Sequence, residues 1–184
     1  MNRKLLYVLM VAFVLSWAGC KKNNKQITIN ALPEQPQEND STVYGTCGED
    51  TGMSTLQLIT DKGDTLEYVT DSDDGSVVKG GLFSGDRMAV VGYKNADGEL
   101  VATNAINLST LYGKWTSLDK NFEIEEGGEV KSFQKAEKNP WTSWSVLNGK
   151  LLLGKDTFDI DVLGPDSLSL ENKVGIFVYK RAKN

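Results

Sequence analysis

The 184-residue sequence contains no histidine. Without histidine, the chain has none of the Ser-His-Asp or Cys-His arrangements of nucleophilic catalysis and no histidine general base. The usual zinc, copper and iron ligand sets are missing for the same reason. An enzyme could still use carboxylate or lysine chemistry, but no residue pattern indicates a buried pair of catalytic acids. We therefore predict no catalytic residue, no metal site and no cofactor.

Long apolar runs are equally scarce. Beyond residue 20, no apolar stretch approaches the roughly 20 residues that a membrane-spanning helix needs. The one extended apolar run, residues 5–18, follows the basic residues Arg3 and Lys4. Its length of about 14 residues is typical of the hydrophobic region of an export signal, and it is too short to span a bilayer. The mature protein is thus expected to be anchored or soluble rather than spanning.

The end of this run carries a specific motif. In Trp17-Ala18-Gly19-Cys20, two small residues stand directly before a cysteine. This arrangement resembles the lipobox of bacterial lipoproteins, although Trp17 stands where that family usually has leucine. The resemblance implies removal of residues 1–19 and a diacylglyceryl thioether on Cys20, which gives stable membrane anchoring. The alternative is an ordinary secretory signal followed by an incidental cysteine.

Loss of the signal leaves an acidic mature chain. Removing Arg3 and Lys4 reduces the basic residues from 20 to 18 against 25 acids, a net charge of −7. A surface of this sign repels nucleic acid, so we expect no nucleic-acid partner. With Cys20 acylated, Cys47 is the one remaining thiol, and no internal disulfide can form. The stability of the folded part must then come from a hydrophobic core.

Residues 20–40 have the composition of a flexible linker, with many polar residues and two prolines. From residue 41 onwards, short β-type runs alternate with turn residues and no useful helical period appears. The predicted fold class is all-β. The first block, residues 41–108, is expected to form a small OB-like barrel. Its predicted strands are 42–46, 54–60, 65–70, 87–93 and 100–107.

The second block, residues 111–182, has closely spaced strand signals. Asn148-Gly149 is its strongest turn signal, because a type I′ hairpin requires positive φ at both central residues. Antiparallel strands joined by such tight turns predict an up-and-down barrel of eight strands. These are expected at 113–118, 122–125, 129–133, 142–147, 150–153, 157–162, 167–170 and 175–181.

Three residues give this second block a family resemblance. Gly113-Lys114-Trp115, on the first strand of an eight-stranded meander, is similar to the Gly-x-Trp motif of lipocalins. Arg181, on the last strand, matches the arginine that packs across that tryptophan in the family. The resemblance therefore implies a lipocalin-like barrel with Trp115 closing one end under Arg181, in a cation–π contact worth about 0.5–2 kcal/mol. The block is about half the length of a full lipocalin barrel, which makes a deep cavity doubtful.

Alternation along the last strand places Phe177 and Tyr179 on one face, which we predict to be the interior. Two alternatives follow: the interior aromatic rings either fill a core or line a pocket for a small apolar ligand. A carrier would require a cavity of about 300 Å³ or more. The candidate ligand or core aromatics are Phe122, Trp144, Phe158, Phe177 and Tyr179.

Two further motifs are less informative. The acidic run at residues 71–75 lacks the spacing of a calcium loop and is expected to be a solvated turn. Asp40-Ser41-Thr42 resembles the O-glycosylation acceptor motif of exported proteins in some Gram-negative bacteria, which makes Ser41 a candidate modification site.

Together these features predict a bacterial cell-envelope lipoprotein, anchored through Cys20 in the outer membrane and facing the periplasm. Its barrels are expected to act as a non-catalytic binding or interaction module. Two specific roles remain open at this point. One is a carrier of a small apolar ligand, and the other is a structural or envelope-stress partner of another envelope protein.

Overall fold

The structure, a computed structural model, describes residues 39–70, 77–134 and 139–183. The fold is all-β, as the sequence predicts, with a closed five-stranded barrel followed by a nearly closed eight-stranded up-and-down barrel. Both barrels lie in one compact unit, Asn39–Asn184. The candidate lipidation residue Cys20, the predicted signal and the acidic run at 71–75 lie outside the described residues. In the described part of the chain, no helix is long and apolar enough to span a membrane.

The first barrel has an OB-like strand order. β1 pairs with both β2 and β5, β2 pairs with β3, and β5 pairs with β6, all antiparallel. A parallel pairing of β3 with β6 closes the barrel, which gives the partly Greek-key arrangement of OB-like barrels. The strands are β1 (Val43–Cys47), β2 (Thr55–Thr60), β3 (Thr65–Val69), β4 (Val78–Lys79), β5 (Arg87–Lys94) and β6 (Leu100–Asn107).

Two short elements were not predicted from the sequence. β4 adds two residues in parallel to β6, and two residues are too few to show an alternating pattern. A single helical turn, α1 (Leu108–Leu111), follows β6. The Asn107 side chain caps it by accepting a hydrogen bond from the Thr110 N–H at 2.9 Å.

The second barrel has eight antiparallel strands in the order β10-β11-β12-β13-β14-β7-β8-β9. An isolated bridge between Glu129 and Ser143 links β9 to β10 and nearly closes the circle. Asn148 and Gly149 have φ values of 49° and 78°, as the predicted type I′ turn requires. The strands are β7 (Gly113–Thr116), β8 (Asn121–Ile124), β9 (Val130–Ser132), β10 (Trp144–Leu147), β11 (Lys150–Leu153), β12 (Asp156–Leu163), β13 (Ser167–Asn172) and β14 (Gly175–Arg181).

The two ends of this barrel differ. We call the end that contains Trp115 and Arg181 the plugged end. We call the opposite end, where the turns at 117–120, 154–155 and 173–174 lie, the open end. Along β14, Tyr179 is buried and Phe177 half-buried, whereas Ile176 and Val178 are about 60% exposed. The aromatic face of β14 is therefore the interior one.

The barrels share part of their core. β5 is buried on both faces, because Met88 and Val90 point into the first barrel while Ala89 packs with the core of the second. The Tyr44 hydroxyl donates to the Val146 carbonyl at 2.9 Å. Burial is the main cause of a raised pKa at Tyr44, so this phenol stays protonated and able to donate at neutral pH.

Candidate functional site

The plugged end is closed by a stacked tryptophan–arginine pair. Trp115 is 1% exposed, and its indole N–H donates to the Leu111 carbonyl at 2.8 Å. The Arg181 guanidinium carbon lies 4.0 Å from the centre of the Trp115 ring, within cation–π distance. Its Nε donates to the Pro165 carbonyl at 2.7 Å, and the two Nη atoms donate to the carbonyls of Tyr112 and Thr110. Burial lowers the pKa of Arg181, but an arginine stays charged in proteins.

Gly113 of the same motif has a steric role. Its φ is 115°, and a Cβ atom at this position would lie 2.7 Å from Nη1 of Arg181. The arginine is fixed by three carbonyl acceptors and cannot move away without losing hydrogen bonds. Glycine at this position therefore lets the guanidinium reach both the ring and the backbone.

We expect the substitution Gly113→Ala to destabilise the fold by about 2–3 kcal/mol, from backbone strain and displacement of Arg181. Gly63→Ala is the matched control, because Gly63 also has positive φ, at 89°, but a Cβ atom there would contact nothing within 4 Å. Gly63→Ala should lower the free energy of unfolding by about 1 kcal/mol. Urea unfolding followed by circular dichroism compares the two, and equal losses would contradict the role assigned to Gly113.

Towards the open end, five aromatic rings form a continuous chain of edge-to-face contacts. Neighbouring ring centres lie 5.1–5.9 Å apart, within the range of favourable aromatic pairs. In order of contact, the rings are Tyr179, Phe122, Trp141, Phe158 and Phe177. Four of these rings line the space beside them, and the buried ring of Phe122 packs against Trp141 and Tyr179, so the chain forms a floor for that space.

That space is a cleft of about 500 Å³ at the open end of the barrel. Its volume falls within the roughly 300–1,000 Å³ of small-ligand sites. The inner wall consists of Trp141, Phe158, Phe177 and Tyr179 from the aromatic chain. The half of the barrel nearer the plug is filled by buried side chains, including Trp115 and Phe122. The barrel therefore has a packed core towards the plugged end and a cleft at the open end.

The cleft is rimmed by apolar side chains that face solvent. Leu118 is 98% exposed and Val174 is 85% exposed, and Ile176 and Val178 also line the opening. Scattered exposed apolar residues are normal in soluble proteins, whereas these four side chains lie around a single opening. We call these four side chains the apolar rim.

The opening exists because β7 is shorter than the strand beside it. β7 has four residues and β14 has seven, and their pairing includes only Thr116 with Lys180 and Trp115 with Arg181. Beyond Thr116 the Ser117 hydroxyl accepts hydrogen bonds from the N–H groups of Asp119 and Lys120. This side chain turns the backbone away from β14 and leaves a gap in the barrel wall.

Polar groups at the mouth orient Trp141. The indole N–H donates to Asp156 Oδ2 at 2.8 Å, and Lys120 Nζ lies 3.7 Å from the centre of the ring. One face of the ring is therefore covered by an ammonium group while its edge is hydrogen-bonded. These contacts hold the ring of Trp141 against the aromatic floor.

The structure brings together four of the five aromatic candidates. Phe158, Phe177 and Tyr179 line the cleft and Phe122 supports it, but Trp144 lies elsewhere. Trp144 contacts Tyr112 edge-on at 5.6 Å, and its N–H donates to the Glu125 carbonyl at 2.7 Å.

Trp141, which was not among the aromatic candidates, also lines the cleft and contacts both Phe122 and Phe158. It precedes β10 in the chain, so strand alternation could not place it. Its sequence signal is the Trp-x-x-Trp spacing with Trp144 next to Pro140, a pattern for which packing in the core is the default expectation.

The other candidates are separate from the cleft. Ser41 is exposed, and its hydroxyl donates to Asn148 Oδ1 at 2.8 Å, so it is tied to the β10–β11 hairpin. Cys47 is a buried free cysteine in the first barrel. Among the described residues, no group of three or more potential metal ligands comes together.

Searches of protein-family models, curated proteins and solved structures find no match to this chain.

Proposed function

We propose that this protein is a lipid-anchored cell-envelope lipoprotein whose second barrel binds an apolar ligand, or an apolar segment of a partner protein, without catalysis. The lipobox-like motif before Cys20 supports the anchor. The observation that carries the binding role is the cleft of about 500 Å³, which has an aromatic floor and the exposed apolar rim. An outer-membrane location facing the periplasm belongs to the same proposal.

A binding role accounts for features that a purely structural barrel would not need. Solvent exposure of four adjacent aliphatic side chains favours aggregation unless a partner or ligand covers them. The aromatic chain beneath them is already packed, so a ligand need not rearrange the floor. A preformed site of this kind loses little conformational entropy on binding.

The test is an equilibrium titration of the unlipidated protein, which lacks residues 1–20, with a fluorescent fatty-acid analogue used as a general apolar probe. We expect saturable binding with a stoichiometry of one and a dissociation constant on the order of micromolar. Val174→Asp places a charge on the apolar rim at a fully solvated turn, and it should weaken binding about tenfold without unfolding the protein.

Val162→Asp is the control. Val162 lies on the outer face of β12, is 46% exposed and is not part of the cleft. Its substitution should leave the affinity unchanged. Equal effects of the two substitutions would rule out the cleft as the binding site.

A further inference from the structure

The edge of β14 beside the cleft carries backbone groups that no strand of the described chain covers. β14 extends over Gly175–Arg181, but only its last two residues pair with β7. The segment 175–178 pairs with β13 on one side, and Ile176, Phe177 and Val178 line the cleft on the other. At about 3.3 Å per residue, this open edge is about 13 Å long.

The hydrogen-bonding groups of this edge face the cleft. The backbone N–H of Arg181 donates to the Asp166 carbonyl on the β13 side, and the backbone N–H of Ala182 donates to the Lys114 carbonyl on the β7 side, both at 2.9 Å. Hydrogen bonds alternate between the two sides of a strand. The N–H and C=O groups of Ile176 and Val178 therefore point the same way as those of Ala182, towards the gap.

The side chains of this edge do not protect it. Exposed strand edges are usually blunted by lysine, proline, a bulge or a covering loop. Ile176 and Val178 are instead apolar and about 60% exposed, and Leu118 and Val174 extend the same surface. The edge thus combines unpaired backbone groups with apolar side chains at alternate positions.

Two other occupants fit these features less well. The apolar rim consists of four side chains, far fewer than the roughly 20–30 residues that each partner contributes to a standard interface, so a second copy of the chain would bind weakly. A hydrocarbon chain would cover the N–H and C=O groups of Ile176 and Val178 without replacing their bonds to water. Each of these N–H and C=O groups that is removed from water without a new hydrogen-bond partner costs free energy.

We propose that the occupant of the cleft is an extended segment of a partner protein that adds to the open edge of β14 as a further strand. The inference rests on the proposed binding function and specifies its ligand class. The segment has at least four residues, with apolar side chains at alternate positions. Its backbone bonds to Ile176 and Val178, and its inward side chains rest on Phe177 and Phe158, as in other cases of strand addition.

The test uses a capped hexapeptide of alternating threonine and valine. It is compared with two isomers, one N-methylated at the odd-numbered residues and the other at the even-numbered residues. In an extended strand the amide groups of successive residues point to opposite edges, so only one of these two sets of amides can face β14. One isomer should therefore bind about tenfold more weakly than the parent peptide, from the loss of its hydrogen bonds, while the other binds equally well. Equal affinities of both isomers would overturn the proposal.

A protein variant gives an independent readout. Val178→Pro removes the N–H that faces the gap and leaves the β13 side intact, which is the kind of edge position that tolerates proline. This substitution should weaken binding of the parent peptide about tenfold and leave the affinity for the fatty-acid analogue unchanged. The control Val178→Ala keeps the N–H and should lose little affinity for the peptide. An unchanged peptide affinity in Val178→Pro would contradict strand addition.

Hydrogen exchange on the unmodified protein provides the remaining measurement. We expect the amides of Ile176 and Val178 to gain protection on binding the peptide. If the fatty-acid analogue binds but the peptide does not bind or protect these amides, the strand-addition proposal fails and the apolar-ligand function stands. If neither probe binds, the proposed function fails as well.

Discussion

The substitution Trp115→Ala should remove about 3–5 kcal/mol from the free energy of unfolding, a large part of the 5–15 kcal/mol typical of a domain. Trp115 is one of the largest fully buried side chains in the described structure. Its removal leaves a cavity at the plugged end and deprives the Leu111 carbonyl of its donor. It also takes away the ring on which the Arg181 guanidinium stacks.

Urea unfolding monitored by circular dichroism measures this loss. Trp115→Phe is the matched variant, because it keeps most of the ring volume and removes only the indole N–H and part of the stacking surface. It should cost about 1–2 kcal/mol. A loss below about 1 kcal/mol in Trp115→Ala would show that the tryptophan does not hold this end of the barrel.

The substitution Cys20→Ala in the full-length chain should move the protein from the membrane fraction to the soluble fraction. Without the thiol, no diacylglyceryl group can be attached, and each buried methylene that is lost contributes about 0.8 kcal/mol to anchoring. Two acyl chains give stable attachment, so the redistribution should be nearly complete. Membrane fractionation and metabolic labelling with a fatty-acid analogue both report it.

Cys47→Ala is the control, because Cys47 is the other cysteine of the chain and is buried and free in the first barrel. It should remain labelled and membrane-bound. Persistence of the Cys20→Ala variant in the membrane fraction would place the anchor elsewhere and refute the assignment.

Much of the fold could be predicted from short-range patterns. Alternation of apolar and polar residues predicts thirteen of the fourteen strands in the described part of the chain, and Asn148-Gly149 predicts one of the hairpins. These features depend on a few neighbouring residues and on backbone preferences, which a single sequence displays directly. The inward face of β14 followed from the same alternation.

The cleft could not be predicted, because it depends on where one strand ends. The predicted strand 113–118 stops at Thr116, since the Ser117 side chain bonds to the backbone that follows and turns it. The two residues beyond Thr116 that were assigned to the strand are those that would have closed the gap beside β14. Leu118, expected to pair in a strand, is instead nearly fully exposed on the rim.

Trp141 illustrates a second limit. It reaches the aromatic floor from a segment with no regular structure, and the contacts that fix it come from Asp156 and Lys120, which are distant in the sequence. Long-range contacts of this kind leave no local pattern. The same holds for β4, whose pairing with β6 adds a strand too short to recognise.

The central claim is that the open end of the second barrel is the binding site, and mapping of a bound ligand by NMR tests it most directly. With the mature protein saturated by the fatty-acid analogue, we expect the largest amide shifts at Phe158, Phe177 and Tyr179. The principal alternative is the cleft between the barrels, lined by Gly80 and Leu163. Shifts concentrated there, or spread evenly over the surface, would contradict the account.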